Sequence, residues 1–124
     1  MRLCARSRET IDSRVEHLTL HELVRITKNP LREKLRQFYD LIESYGSLTT
    51  EQETKFIALK QRIEKAILSK ADVICTTCTT SFDKRLKDFQ FETVLIDEAT
   101  QACEPECILP MLKGTKHVIL VGDH

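Results

Sequence analysis

The stretch ETVLIDEATQACEPECILPMLKGTKHVILVGDH, residues 92–124, decides the fold. Its two short apolar runs, in ETVLID and HVILVGD, are rich in Val and Ile and end in small or acidic residues. That is the pattern of parallel strands buried on both faces. Between them, ATQACEPECILPMLKGT is long enough for a crossover helix closed by Gly114. Pro105 suits the first turn of that helix, and Pro110 ends or kinks it near its last turn. The order predicts a right-handed βαβ unit. Parallel strands send their carboxyl ends to one edge, where open α/β sheets place ligands. The first strand delivers Asp97 and Glu98 there, and the second delivers Asp123 after Gly122, which lets the chain turn tightly. Adjacent acids at such an edge suit nucleotide hydrolysis: Asp97 to hold Mg²⁺ through water, Glu98 to orient and polarise the attacking water. The plain alternative is a strand-end turn with solvated acids.

Upstream the period changes from strand to helix. In NPLREKLRQFYDLIESYG, Asn29 is the expected N-cap and Pro30 the first helical residue. Leu31, Leu35, Phe38, Ile42 and Tyr45 then fall on one stripe, and Gly46 with Ser47 supplies the stop. Thr50 and Glu53 have capping-box spacing for a second helix, whose stripe is Phe56, Leu59, Ile63 and Ala66/Ile67. The short linker predicts an antiparallel helical hairpin, preceded by a shorter amphipathic helix, LHELVRI. After Lys70, DVICTT reads as one more buried strand leading into the loop TTSF.

With 124 residues the chain is one domain or part of one, and its 41% hydrophobic and 31% charged residues are ordinary for a globular protein. No apolar run approaches the roughly 18 residues that cross a bilayer, so no membrane association is expected. Five cysteines, an odd number with no secretory signal, argue for a reducing cytoplasmic or nuclear setting. The net charge of zero hides an asymmetry. Residues 1–70 hold 14 Lys/Arg against 10 Asp/Glu, and residues 71–124 hold 5 against 9. A basic half is compatible with nucleic acid nearby and equally with a solvated helical surface.

The run from residue 92 onward resembles motifs II and III of superfamily 1 helicases, most closely those of Upf-type (up-frameshift) RNA helicases of nonsense-mediated mRNA decay. LIDE, TQA, EPEC and ILVGDH carry the resemblance, and RLCARSRE and ADVICTTC follow the same order. The resemblance implies an α/β fold, a partial RecA-like P-loop NTPase domain carrying an inserted antiparallel helical hairpin. Its implied boundaries are 1–12 and 71–124 for the RecA-like segments and 13–70 for the insertion. It implies ATP and Mg²⁺ as cofactors, with Asp97 and Glu98 as the Walker B pair. Gly122 and Asp123 begin motif III, which couples the γ-phosphate to the nucleic-acid site. Gln101, with Thr100, either hydrogen-bonds in the nucleotide site or caps the following helix. Thr77 aligns with a threonine at the nucleic-acid-facing strand end, and Thr79, Thr80 and Ser81 are candidate phosphate donors beside it. Thr80, Ser81 and Phe82 stand where the family has Gly-Ala-Gly, a change that removes easy access to positive φ. Phe82 then stacks on a base or fills the core.

On this resemblance the parent protein is an ATP-dependent helicase moving 5′ to 3′ on single-stranded RNA or DNA, with mRNA-decay factors as partners. The chain has no Gly-x-x-x-x-Gly-Lys-Ser/Thr loop, so alone it is expected neither to bind ATP tightly nor to hydrolyse it, and its sheet is expected to show unpaired edges. Three rivals remain: a DNA-directed relative, a helical hairpin that only binds a partner, and a zinc module of Cys75, Cys78, Cys103 and Cys107. Against zinc, Cys75 and Cys78 would point to opposite faces of an extended strand, and no glycine forms a metal knuckle, so no structural zinc is expected. His17, His21 and His117 lack ligand-like spacing, and Glu104 and Glu106 suit a helix N-terminus.

Overall fold

The computed structural model describes residues 1–5, 9 and 14–123. Part of RLCARSRE, the expected boundary between 1–12 and 13–70, and His124 lie outside the described residues. The chain divides into two compact units, Met1–Cys75 and Thr76–His124.

The first unit is helical, with α1 at Leu20–Ile26, α2 at Arg32–Tyr45 and α3 at Thr50–Leu68. Its core is Leu3, Leu20, Val24, Leu35, Ile63 and Leu68, none more than 2% exposed. Leu20 and Val24 share the inner face of α1, one turn apart. Phe38 and Tyr39 of α2 meet Phe56 of α3 edge-on, with ring centroids 5.9 and 5.5 Å apart. These rings lie at matching distances from the turn, so the two helices fold back on each other. The turn starts at Gly46, whose φ of +76° closes α2 as its N–H bonds to the Ile42 carbonyl at 2.8 Å.

Several local expectations shift. The α-helical hydrogen bonding of α2 begins at Arg32, because its first turn is tighter than an α-turn. Asn29 still does capping work, its Oδ1 accepting the Leu31 N–H at 2.9 Å and its carbonyl the Arg32 N–H. Tyr45, the last residue of α2, leaves the stripe and is 77% exposed. The capping box is Thr49 with Gln52, one residue earlier than predicted. Thr49 is extended, its Oγ1 accepts the Gln52 N–H at 3.4 Å, and Gln52 Oε1 accepts the Thr49 N–H at 2.9 Å. Thr50 is already helical, so its hydroxyl cannot reach that role.

DVICTT is not a strand. Its extended backbone makes one isolated parallel bridge, Cys75 with Arg2, through bonds from Cys75 N–H to Met1 O and Leu3 N–H to Cys75 O. Arg2 bridges Thr19 on its other side, so the chain start lies between two segments. A partner only a few residues long gives too little ladder to define a strand.

The second unit holds the βαβ sequence. β1, Thr93–Ile96, pairs in parallel with β2, His117–Leu120, in the register Thr93↔His117 to Ile96↔Leu120. α4, Glu104–Met111, connects them and packs on β1, with Pro105 in its first turn and Pro110 inside its last. Gly114 at φ +81° turns the chain back toward β2. The strands are not buried on both faces. Ile96 is buried, but Leu95 is 61% exposed and every residue of β2 is exposed. A two-stranded sheet with one crossover helix lacks the second layer that buried strands require.

The Thr49 assignment has a direct check. Thr49→Ala should cost about 1 kcal/mol in urea unfolding, whereas Thr50→Ala should stay within about 0.5 kcal/mol. Equal effects would return the cap to its predicted place.

Candidate functional site

Strand pairing carries the site past the ends of the strands. The Val121 N–H bonds to the Ile96 carbonyl at 2.9 Å, and the Ala99 N–H bonds to the Val121 carbonyl at 2.8 Å. These bonds clamp the turn after β1 onto the exit of β2, so Asp97 and Glu98 share an edge with Gly122 and Asp123. Gly122 allows the clamp to close. A Cβ there would lie 3.0 Å from Thr100 Oγ1, 3.2 Å from the Ala99 nitrogen and 3.3 Å from the Thr100 nitrogen. Its role is therefore close approach of backbone to backbone.

Glu98 has a φ of +54°, the one positive φ on a non-glycine residue among the described residues. A left-handed conformation costs an ordinary residue about 1–2 kcal/mol. It reverses the chain immediately after the strand. The Gln101 N–H returns to the Glu98 carbonyl at 3.0 Å, and Gln101 Nε2 donates to Glu98 Oε2 at 3.0 Å. Glu98 N–H bonds to Asp97 Oδ1 at 3.1 Å, and both carboxylates are exposed. Neither Thr100 nor Gln101 caps α4, because Cys103 occupies its N-cap position without a side-chain bond. Sequence reasoning did not find the strain at Glu98, since nothing in a DE pair specifies a left-handed turn.

Asp97 fits a hard cation held through water. Its Oδ1 is engaged by one amide, Oδ2 has no protein partner, and the edge is open. Among the described residues no three His, Cys, Asp or Glu side chains gather to hold a metal ion directly.

The loop after Cys75 forms a 3₁₀ turn, Thr79–Phe82, packed against α4. Thr77 Oγ1 donates to Thr80 Oγ1 at 2.8 Å and accepts the Thr80 N–H at 3.3 Å. Ser81 is only 6% exposed and its hydroxyl donates to the Cys78 carbonyl, so the donor expected of it is used inside the turn. Thr79 remains exposed. No residue of this turn has a positive φ, so its lack of glycine brings no backbone strain. Phe82 does not fill the core. It is 55% exposed, with Lys113 Nζ 5.0 Å from its ring centroid.

Cys75 and Cys103 are exposed, whereas Cys4, Cys78 and Cys107 are half-buried. Cys107 Sγ lies 3.9 Å from the Ala99 carbonyl, linking α4 to the acid turn. Burial pushes the Cys78 thiol pKa up, and Cys107 and Glu106 nearby push it further.

Comparison with known proteins shows the family of the chain. The AAA domain family matches residues 1–124. The chain belongs to that family. It is similar over its full length to the Regulator of nonsense transcripts 1 homolog of Arabidopsis thaliana, at 48% identity and covering 10% of that protein. It is 49% identical to Regulator of nonsense transcripts 1 of Dictyostelium discoideum, covering 9%, and 50% identical to ATP-dependent helicase NAM7 of Saccharomyces cerevisiae, covering 12%. The chain thus spans about a tenth of the length of these relatives. The likeness to Upf-type superfamily 1 helicases seen in its motifs therefore extends across all of this family member.

The clamp and the strained turn give opposite expectations for two glycine exchanges. Glu98→Gly should stabilise the chain by about 1 kcal/mol by relieving the left-handed cost. Gly122→Ala should destabilise it by about 1–3 kcal/mol through overpacking. Urea midpoints that move the other way in either case would refute the geometry.

Proposed function

We propose that the chain forms part of the first RecA-like domain of an ATP-dependent RNA helicase acting in nonsense-mediated mRNA decay. In this reading 13–70 is a helical insertion, flanked by RecA-like segments 1–12 and 71–124. The observation that carries the proposal is the clamped edge, with Asp97 and Glu98 after one parallel strand and Gly122 and Asp123 after its neighbour. The names of the full-length relatives, ATP-dependent helicases and regulators of nonsense transcripts, support it.

Each residue then has a task its geometry suits. Asp97 holds Mg²⁺ through water by its free Oδ2, and the ion supplies charge neutralisation on the phosphate oxygens when bound. Glu98 Oε2 is fixed by Gln101, which leaves Oε1 to accept a hydrogen bond from the attacking water. Gly122, pressed on Ala99 and Thr100, transmits a shift of the acid turn to Asp123 and the end of β2. Thr77, Thr79 and Thr80 line the nucleic-acid side, where the exposed Thr79 hydroxyl contacts phosphate without reading sequence and the Thr77–Thr80 hydroxyl pair holds the turn in place. The open strands β1 and β2 are where further layers of a RecA-like sheet would pack, which answers for the exposure of Leu95, Ile119 and Leu120. The setting proposed is cytoplasmic.

The decisive experiment replaces Glu98 by Gln in the full-length protein. RNA-stimulated ATP turnover should fall by at least about 100-fold, with nucleotide affinity retained. Near-normal hydrolysis would remove Glu98 from the mechanism. RNA affinity should fall with salt at a log–log slope of roughly −0.7 per phosphate neutralised, and a salt-independent affinity would argue against the RNA path.

A further inference from the structure

We propose that Phe82 is a base-stacking platform for single-stranded nucleic acid, held by Lys113 on one face of its ring. The inference rests on the nucleic-acid reading above and adds a named contact to it.

Of five phenylalanines, Phe82 alone is exposed. Its ring is 55% exposed, which leaves an aromatic face open beside the turn. The ring is not on a floppy tip. The Thr77–Thr80 hydroxyl pair, the buried Ser81 and the bond from Asp83 N–H to Thr80 O at 3.0 Å fix the turn before it. The turn after it is fixed by Asp83, which caps the Arg85 N–H and receives its guanidinium at 2.9 and 2.8 Å. Binding therefore costs little ordering entropy.

Lys113 completes the arrangement. Its Nζ donates to the Leu86 carbonyl at 3.2 Å and sits 5.0 Å from the ring centroid. The cation holds one face of the ring and leaves the solvent side for a base. The surroundings are basic in an otherwise acidic stretch. Residues 71–124 hold five Lys/Arg, and Lys84, Arg85, Lys87 and Lys113 are four of them. Asp83 offsets Arg85, while Lys84 and Lys87 stay exposed and Asp88 is the other nearby acid. Exposed aromatic rings flanked by lysines bind unpaired bases and their phosphates with little sequence preference.

The test uses the full chain, fluorescein-labelled oligo(U) RNA and an abasic ribose-phosphate oligomer of equal length, with anisotropy at fixed salt. Phe82→Leu should weaken oligo(U) binding by roughly tenfold and leave the abasic oligomer unchanged. The chain has no tryptophan, so Phe82→Trp places a lone fluorophore at the site. Its emission should be quenched by oligo(U) and not by the abasic oligomer, with oligo(U) affinity kept. Salt-dependent binding of oligo(U) that Phe82→Leu does not alter, or an equal loss on both oligomers, would overturn the platform and leave the nucleic-acid reading standing. Failure of the unsubstituted chain to bind either oligomer would overturn both.

Discussion

The parallel pairing of β1 with β2 is the constraint on which the rest of the second unit depends. An antiparallel pair can close through a two-residue turn, but a parallel pair must return by a long crossover. That requirement explains α4, with Pro105 starting it and Gly114 turning the chain back. Parallel pairing also fixes chemistry, because both strands exit at one edge. The four residues Asp97, Glu98, Gly122 and Asp123 are neighbours through topology, although the two pairs are well separated in sequence.

Placing acids at a strand end is easy; holding them there is harder. The Ala99 bond to the Val121 carbonyl keeps the turn from peeling away, and the left-handed Glu98 reverses the chain within one residue. Glycine at position 98 would adopt that conformation without cost, but it has no carboxylate. Position 122 shows the converse, where absence of a side chain is the requirement. Strain at Glu98 and close approach at Gly122 are two sides of one contact. Local strain of this kind persists when surrounding bonds over-determine the backbone.

The βαβ sequence was legible because its signals are local: Val/Ile-rich runs, proline and glycine punctuation, and acids at the run ends. The helices were legible through their stripes, although Thr49–Thr50 followed by Gln52–Glu53 offers two capping boxes one residue apart. Sequence alone cannot choose between them; the extended backbone of Thr49 does. DVICTT misled because its composition matches that of β1, while strand formation depends on a partner's length. Tyr45 misled because the periodicity runs to the last residue of α2, where the side chain is exposed. The exposure of β2 was invisible for a related reason, since hydropathy reports what a residue prefers and not which layers are present to cover it.

The loop at 77–82 shows how a sequence without glycine can take a tight path. Glycine usually permits such loops by giving access to positive φ. Here the turn takes a 3₁₀ form that needs none, and hydroxyls replace flexibility with bonds: Thr77 to Thr80, Ser81 to Cys78. The exchange has a chemical consequence. A glycine loop offers bare N–H groups to a passing phosphate, whereas this turn uses the Thr80 and Ser81 amides internally. Its remaining outward features are the Thr79 hydroxyl and the Phe82 ring. On the proposed reading, a surface with few free amides and an open aromatic face would meet a single strand more through its bases than through its backbone. Stacking tolerates any base because each has a π-face, so a contact of the proposed kind would require no sequence preference.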